Sequence, residues 1–542
     1  MSPAKYSCTP RLSRNWDFSA LFLFGFFATI CLVTMSDYGM SWDEWFRWRG
    51  GQEKLLYYKD LFGLNDLMAS HRAKTDNYPG LFDLSVAMIN EYLGISLFHA
   101  GHSLSLGFGF LTVLAVWLLT RSVAGSRAGF LAIFFLILMP RFYGHQFFNP
   151  KDIPFACTYV WAIFAITCFL FQAPRPGWKV TLFLGASIGL CLSTRIGAII
   201  LFLYLGAVCL WLICRETSES PSGLRIKTFV DSTIGLLARC SIVGVIAFSV
   251  LAIWWPYSHS NPIARTLEVF ITISDYPWDG PVLFFGDFIR ASELPRSYIL
   301  VWIGITLPPI IIFSMIISLA FSLRSLGKVF IEWRNSVYGL IGLIVLAVLF
   351  PLTYVILKNS TLYDGMRHLL FILPMIAILS AIGINSILEN FRRITLRVAS
   401  WVSIIGLAGW SIIPMVNLHP YQYVYFNPLI GGLKGATGRF ETEYWATANR
   451  EAVKLLQSYL QSEYPSDFRP KVFSAIPALL SRYFFPDHWI PVDDPQDADF
   501  FISTTRLNLD RELIGEQIIA VERNASNFAV VKKLNSTPSS FE

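Results

Sequence analysis

The chain has 542 residues, of which 54% are apolar and 15% are charged, and its formal net charge is +6. Ordinary soluble domains carry about 25% charged residues, so this composition excludes water as the main solvent. The basic balance does not indicate nucleic acid, because lysines and arginines of membrane proteins gather in cytoplasmic loops. We therefore expect an integral membrane protein in contact with lipids, with no nucleic-acid partner.

Long apolar stretches predict about eleven transmembrane helices, since a helix needs about 20 residues to cross the hydrocarbon layer. The stretches lie near residues 18–36, 98–120, 127–142, 153–172, 180–193, 196–214, 239–256, 298–322, 336–357, 367–388 and 398–416. The first is too long for a typical cleaved signal peptide and lacks a small-residue cleavage site after it. We expect it to remain as a helix.

Basic residues cluster in alternate loops, as they do in loops that stay in the cytoplasm. The clusters are Lys5, Arg11 and Arg14; Arg121 and Arg127; Arg175 and Lys179; Arg215, Arg225, Lys227 and Arg239; Arg324, Lys328 and Arg334; Arg392, Arg393 and Arg397. The N-terminus is therefore predicted in the cytoplasm. An odd number of crossings then puts the C-terminus on the other side.

The apolar run 180–214 is too long for one span and is interrupted only at Ser193, Thr194 and Arg195. An arginine at the middle of a membrane costs roughly 2.5 to 3.5 kcal/mol on insertion scales. We expect two short helices that meet at Arg195, with its guanidinium at the outer surface or in a polar cavity.

Three segments fall outside the membrane: loops 37–97 and 257–297, and the tail 417–542. We divide the chain into a transmembrane module, 1–416, and an extracytoplasmic α/β domain, 417–542. An amphipathic helix is predicted around Glu451–Leu460. Short strands are predicted at Lys471–Ile476, Phe500–Thr504, Gln517–Val521 and Phe528–Lys532.

Two polar motifs lie at the predicted outer face. The first, Ser41-Trp42-Asp43-Glu44-Trp45, carries paired carboxylates among aromatic residues, and it could equally be an acidic interfacial loop. The second, residues 141–154, places His145, Lys151 and Asp152 between two spans. Asp152 could simply be the N-cap of the following helix, with Pro154 in its first turn.

These motifs resemble those of the C-type glycosyltransferase fold, and within it the bacterial protein-mannosyltransferase and aminoarabinose-transferase family. Three further stretches strengthen the resemblance: residues 149–155, residues 364–368 with Pro374, and residues 419–427. The resemblance spans about the first 430 residues, whereas the tail after Phe440 matches no known acceptor-binding domain. It implies a multi-pass protein of the bacterial inner membrane with a periplasmic C-terminal domain.

The resemblance also implies a reaction: a sugar moves from a polyprenyl-phosphate donor to an acceptor at the outer face, with inversion. Asp43 matches the position of the catalytic acidic residue, Glu44 is its expected orienting partner, and Asp152 joins them as a catalytic candidate. Fixed positive charge can stabilise the departing phosphate. The residues expected to bind substrate are Lys151, Arg195, Arg367, His368 and His145. The alternative for Arg195 and Arg367 is that each side chain only extends from the membrane to the membrane–water interface and binds no substrate.

Several questions stay open at this stage. Asp43, Glu44 and Asp152 offer hard oxygen ligands for a divalent metal, and whether a metal takes part is undecided. A transporter or lipid flippase is one alternative, although it should show repeated halves or broken helices at mid-membrane. A non-catalytic membrane scaffold is another. The sugar, whether hexosyl or pentosyl, and the acceptor, whether lipid, glycan or protein, are not determined by the sequence.

Overall fold

The structure is a computed structural model that describes residues 14–63, 77–173, 175–274, 278–475 and 477–534, without the side chains of Arg14, Ser274 and 321–331. Lys5, Arg11, the middle of loop 37–97 and the predicted strand end Ile476 lie outside the described residues. The helices of the first 417 residues are α1 Arg14–Thr34, α2 Trp42–Leu61, α3 Leu81–Leu93, α4 Leu97–Ala124, α5 Ser126–Ile137, α6 Pro140–His145, α7 Asp152–Phe171, α8 Trp178–Leu192, α9 Ile200–Glu219, α10 Arg225–Trp254, α11 Pro262–Ser274, α12 Tyr298–Thr306, α13 Pro309–Ile331, α14 Ser336–Lys358, α15 Leu373–Asn390 and α16 Ile394–Asn417.

Eight helices within the described ranges are long and apolar enough to cross a membrane, and the count rises to nine if one bent pair is a single span. This pair, α12 with the first part of α13, bends by 113°. Two further apolar helices, α5 and α8, have 12 and 15 residues. At 1.5 Å per residue they reach only about 18 and 22 Å, short of a hydrocarbon layer of about 30 Å. The predicted multi-pass helical fold is confirmed, but where about eleven spans were predicted, the described residues contain eight or nine that are long and apolar enough to cross a membrane.

Helix α7 lies at the centre of the membrane module. In its apolar window 94% of the residues are buried, against 22% in α10 and α16. It packs against α4, α8 and the segment Arg367–Ile372, so its first residues reach the middle of the polar end of the bundle. Helix α16 instead exposes Val402, Ile405 and Ile413, as expected for a helix in contact with lipid.

The tail folds into a small α/β unit that matches the predicted pattern. Its helices are α17 Gly432–Ala436, α18 Asn449–Glu463 and α19 Leu479–Arg482. Its strands are β3 Lys471–Ser474, β4 Ile490–Val492, β5 Phe500–Thr504, β6 Glu516–Arg523 and β7 Ser526–Lys533, in the order β4-β3-β5-β7-β6. The first three are parallel, and β7 pairs antiparallel with both β5 and β6. Helix α18 covers the sheet with Ala452, Val453 and Leu456.

A two-stranded hairpin, β1 Pro281–Phe284 with β2 Asp287–Arg290, forms part of loop 257–297. The sequence analysis did not predict it, nor β4. Both consist of strands of three or four residues, too short to show an alternating pattern.

The segment after α16 is packed tightly against the membrane module. A Cβ atom at Gly144 would lie 2.4 Å from the backbone nitrogen of Tyr423, and one at Gly39 would lie 2.1 Å from the carbonyl oxygen of Thr447. Only glycine permits backbones to approach this closely. Tyr421, Tyr423 and Tyr425 are all buried at this contact.

Candidate active site

Asp43 lies in the first turn of α2, and its position is fixed by the start of that helix. The backbone nitrogen and the hydroxyl of Ser41 donate to Oε2 of Glu44 at 2.6 and 2.9 Å, which closes the N-terminus of the helix. The Ser41 hydroxyl also lies 3.0 Å from the carbonyl oxygen of Phe148, as a donor to that oxygen. The acidic motif is therefore anchored to the loop that carries Lys151 and Asp152.

Two cations hold the Asp43 carboxylate. Nη1 of Arg367 donates to Oδ2 at 2.8 Å, and Nζ of Lys151 lies 3.5 Å from the same oxygen. Burial alone would raise the pKa of Asp43, but Lys151 and then Arg367 outweigh it and hold this pKa well below its ordinary value. Asp43 is therefore ionised and able to accept a proton.

Arg367 is in turn shared with a second acid. Its Nε lies 3.0 Å from Oδ2 of Asp364, and Oδ1 of Asp364 accepts from Nη2 of Arg506 at 2.6 Å. Asp364 and Arg506 were not among the predicted site residues. Asp364 stands three residues before Arg367, a spacing that could have indicated it, whereas Arg506 is 139 positions further on and the sequence carries no sign of the contact.

Asp152 and Arg195 form an ion pair at the N-terminus of α7. The predicted break at Arg195 is present, between α8 and the turn Ile196–Ile199. Asp152 is not the N-cap acceptor: the side-chain oxygen of Asn149 accepts from the backbone nitrogens of Lys151 and Asp152 at 3.0 and 2.7 Å. The Asn149 amide also donates to Oδ2 of Asp152 at 2.9 Å, so the carboxylate is held toward Arg195.

Two predicted site residues point elsewhere. Glu44 was expected to orient Asp43, but its carboxylate contacts Ser41 and lies 3.1 Å from Nε2 of His102. His145 was expected to bind substrate, but it is buried between Tyr444, 3.0 Å away, and Asn149, 3.1 Å away. Both predictions assumed that residues close together in the sequence also have side chains that lie close together. In a helical turn neighbouring side chains point in different directions.

A cavity of about 470 Å³ opens beside Asp43 and is polar at one end and apolar at the other. Lys151, Arg195, Arg367 and His368 line it, together with Tyr78 and Tyr363. The apolar part is lined by Phe155, Ile199, Ile200, Leu203, Phe270, Ile273, Phe350, Pro351, Tyr354, Val355, Leu362, Leu369 and Phe371. The cavity thus places three cationic side chains at the head of a hydrophobic groove.

Aromatic rings fix the cationic end of the cavity. The Tyr78 ring lies 5.3 Å from Nζ of Lys151 and 4.9 Å from the guanidinium of Arg47. The Tyr363 ring lies 4.9 Å from the guanidinium of Arg367. Such contacts orient the charged groups without neutralising them, so they leave the positive charge available to an anion.

The three carboxylates considered as metal ligands do not converge. Asp43 is paired with Arg367 and Lys151, Glu44 with Ser41 and His102, and Asp152 with Arg195 and Asn149. In the part of the chain that the structure describes, no group of three or more histidine, cysteine, aspartate or glutamate side chains is arranged to hold a metal ion. The described residues therefore do not fit a divalent metal at this site.

The chain is a helical protein with several candidate membrane spans and a polar site at the ends of its helices. Residues 100–254 match the family described as dolichyl-phosphate-mannose-protein mannosyltransferase. The matched stretch contains α4 to α10, and with them Lys151, Asp152 and Arg195. This match confirms the resemblance that the sequence motifs indicated. No curated protein sequence matches the chain.

Two solved structures resemble the chain at low sequence identity. One is the archaeal oligosaccharyltransferase AglB from Archaeoglobus fulgidus in complex with an inhibitory peptide and a dolichol-phosphate, with 14% identity, 91% of this chain and 69% of that chain covered, and a TM-score of 0.47. The other is ArnT from Cupriavidus metallidurans bound to undecaprenyl phosphate, with 14% identity, 94% and 97% covered, and a TM-score of 0.46.

Proposed function

We propose that the chain is a membrane glycosyltransferase that moves a sugar from a polyprenyl-phosphate donor to an acceptor, with inversion, and that Asp43 is the base. The observation that carries the proposal is the cavity beside Asp43, with Lys151, Arg195 and Arg367 at the head of an apolar groove. A prenyl phosphate has the same division into a charged head and a hydrocarbon chain.

The electrostatics at the head of the groove favour an anion. Burial lowers the pKa of Lys151, and although Asp43 acts the other way, the nearby Arg47, Arg367 and Arg195 add to the shift. Positive charge is therefore crowded and only partly compensated. A phosphate at this point would relieve the repulsion, and arginine is suited to contact two of its oxygens at once.

Phosphate binding also makes Asp43 a better base. In the structure Lys151 and Arg367 lower its pKa, which makes it a weak acceptor of protons. A donor phosphate competes for these cations, so the carboxylate regains basicity only when the donor is bound.

The reaction then follows in one displacement. The acceptor hydroxyl oxygen bonds to the anomeric carbon from the side opposite the phosphate, and the bond between that carbon and the phosphate oxygen breaks. The electron pair of the broken bond leaves with the prenyl phosphate, where Arg195, Arg367 and Lys151 stabilise it. The hydroxyl proton passes to Asp43. The anomeric configuration is inverted.

A donor screen tests the proposal. Purified protein in lipid nanodiscs is incubated with a panel of polyprenyl-phosphate hexoses and pentoses, and mass spectrometry measures the prenyl phosphate released. We expect release with at least one donor, lost in Asp43→Asn and kept in Asp37→Asn. Asp37 is a matched control because it lies at the same end of α1 but pairs with His419 outside the cavity. Donor uptake into proteoliposomes without release would instead indicate a transporter or flippase.

The site of action is part of the proposal. The clusters of basic residues support a cytoplasmic N-terminus, and an odd number of spans puts Asp43, the cavity head and the tail domain at the outer face of the bacterial inner membrane. A polyprenyl-phosphate donor with its sugar on that face would then reach Asp43 from the bilayer.

A further inference from the structure

A second cleft, of about 320 Å³, is lined in part by Arg506, which Asp364 links to Arg367. It is formed by the hairpin β1–β2, by residues 437–443 and by the turn that follows β5. Phe288 and Phe440 contribute aromatic surface, and Glu441, Arg506 and Asn508 contribute polar groups. The cleft therefore lies between the tail sheet and the outer surface of the membrane module.

Glu441 and Arg506 carry polar atoms that the protein itself does not satisfy. Both carboxylate oxygens of Glu441 and Nε of Arg506 are buried without a hydrogen-bond partner among the described residues. Glu441 is only 7% exposed. Buried polar atoms without partners cost about 1 to 3 kcal/mol each, so they indicate a group that binds there.

A chain of three ion pairs connects the cleft to Asp43. Nη2 of Arg506 donates to Asp364, Asp364 pairs with Arg367, and Arg367 pairs with Asp43. The guanidinium of Arg506 also lies 5.2 Å from the ring of Trp42, the residue next to Asp43. The cleft is therefore linked to the base through these ion pairs, although Asp43 itself is not part of its lining.

The unsatisfied atoms specify the chemistry of the ligand. A phosphate carries mainly acceptors and would be repelled by Asp364, whereas a protonated amine only donates and would be repelled by Arg506. A hydroxyl both donates and accepts, so neighbouring hydroxyls can serve the Glu441 oxygens and Arg506 Nε together. The rings of Phe288 and Phe440 supply apolar surface for the C–H face of a sugar.

We propose that this cleft binds the acceptor and that the group bound there is a neutral carbohydrate. The proposal rests on the transfer function proposed above, because it names the acceptor of that reaction. Glu441 and Arg506 hold the acceptor hydroxyls, and the hydroxyl that reacts is the one presented to Asp43.

The protonation of Glu441 is consistent with this role. Burial raises the pKa of Glu441 to about 8, with a further contribution from Asp364, while Arg506 and the backbone N–H of Asp364 act in the opposite direction. That N–H approaches the carboxylate without completing a hydrogen bond. A neutral carboxylic acid offers one donor and remaining acceptor capacity, which suits a sugar hydroxyl.

A glycan array tests the cleft without any donor. Full-length protein in fluorescent nanodiscs is applied to immobilised neutral, amino-substituted and phosphorylated glycans. We expect binding to neutral glycans, reduced at least about tenfold by Glu441→Gln and by Thr442→Trp, which fills the cleft from its wall. Glu451→Gln is the control, since Glu451 pairs with Arg523 and lines neither cavity. The glycan binding of this control variant should stay within about twofold of that of the unmodified protein.

The outcomes separate the two proposals. Three outcomes would overturn the cleft proposal. The protein could bind only phosphorylated or amino glycans, it could bind no glycan, or both cleft variants could retain binding. A single cooperative thermal unfolding transition and unchanged binding of undecaprenyl phosphate show that each variant is folded. Glycan binding without release of prenyl phosphate from any donor would contradict the transfer function alone. Sugar transfer to a protease-sensitive product would show a protein acceptor and contradict the cleft proposal alone.

Discussion

Asp43 and Asp364 share the guanidinium of Arg367, which donates through Nη1 to Asp43 at 2.8 Å and lies with Nε 3.0 Å from Asp364. Asp364 is also paired with Arg506 from the tail domain. The cation that lowers the pKa of Asp43 is therefore positioned by a residue more than 130 places further along the chain. We expect a substitution at either end of this chain of ion pairs to change the pKa of Asp43.

Removing the charge of Asp364 tests this network. Asp364→Asn leaves Arg367 and Arg506 buried with one counter-charge fewer, so we expect the free energy of unfolding to fall by about 3 kcal/mol. Thermal unfolding in detergent measures the change. Asp493→Asn, which removes a highly exposed partner of Arg482, should change stability by less than about 1 kcal/mol. Equal effects of the two substitutions would show that the Asp364 network contributes nothing.

Asp43→Asn should remove chemistry and leave binding. The amide has almost the same volume but cannot accept a proton, so turnover should fall at least about 10²-fold while undecaprenyl phosphate still binds. Glu44→Gln should act differently, because Glu44 contacts Ser41 and His102: we expect lower thermal stability and a milder loss of turnover. Turnover of Asp43→Asn within about threefold of the unmodified protein would exclude Asp43 as the base.

Arg195 tests the phosphate contact. Arg195→Lys keeps a positive charge beside Asp152 but loses the planar fork, so donor affinity should fall moderately, and Arg195→Ala should lose more. Dissociation constants for undecaprenyl phosphate, measured in nanodiscs, give the order. Near-normal affinity in both variants would mean that Arg195 only reaches the interface.

The orientation in the membrane can be tested by fusions. A reporter that is active only outside the cytoplasm should work when fused after Ser360 or Asn427, and it should fail after Arg225 or Arg393. The basic clusters on alternate loops are the reason for this expectation. Activity at Arg225 together with inactivity at Asn427 would reverse the assignment.

Glu441 should make stability depend on pH. Its pKa in the folded protein is raised to about 8, so its stabilising contribution is complete below its ordinary pKa and is lost as pH rises through about 8. Asp364, Tyr298, Arg506 and Arg367 are the charged or titratable groups around it. The unfolding temperature should therefore fall between about pH 4.5, the ordinary pKa of the group, and about pH 8, and Glu441→Gln should flatten this fall. If the unfolding temperature depended on pH equally in both proteins, other titrating groups would be responsible for that dependence.

The fold could be predicted from the sequence where a physical signal repeats along the chain. Apolar runs located the long helices, and alternation located β5, β6 and β7. The hairpin β1–β2 and the strand β4 could not be located, because three or four residues do not establish a period. The early end of α5 at Ile137 was also missed, since hydropathy does not show that a new helix begins at Pro140. The short helix α8 was predicted.

The site was predictable only in part. Asp43, Lys151, Asp152, Arg195, Arg367 and His368 were singled out as polar residues at the ends of apolar runs. Four of them line one cavity, and Asp43 and Asp152 pair with its cations. Glu44 and His145 shared that sequence context but turn into the protein interior. Arg506 was missed because its importance comes from a contact across the fold, for which a single sequence contains no signal, whereas the spacing of Asp364 from Arg367 could have indicated Asp364.

Because Arg367 pairs with both Asp43 and Asp364, one ion-pair network joins the helical part of the chain to the tail. The groove and its cations belong to the helical part of the chain, whereas Arg506 and the turn beside it belong to the tail sheet. On the proposed function, substitutions in the tail that spare the ion pair of Arg506 with Asp364 would alter which acceptor binds without altering which carrier delivers the sugar. The two preferences would then lie in stretches of the chain that can diverge separately.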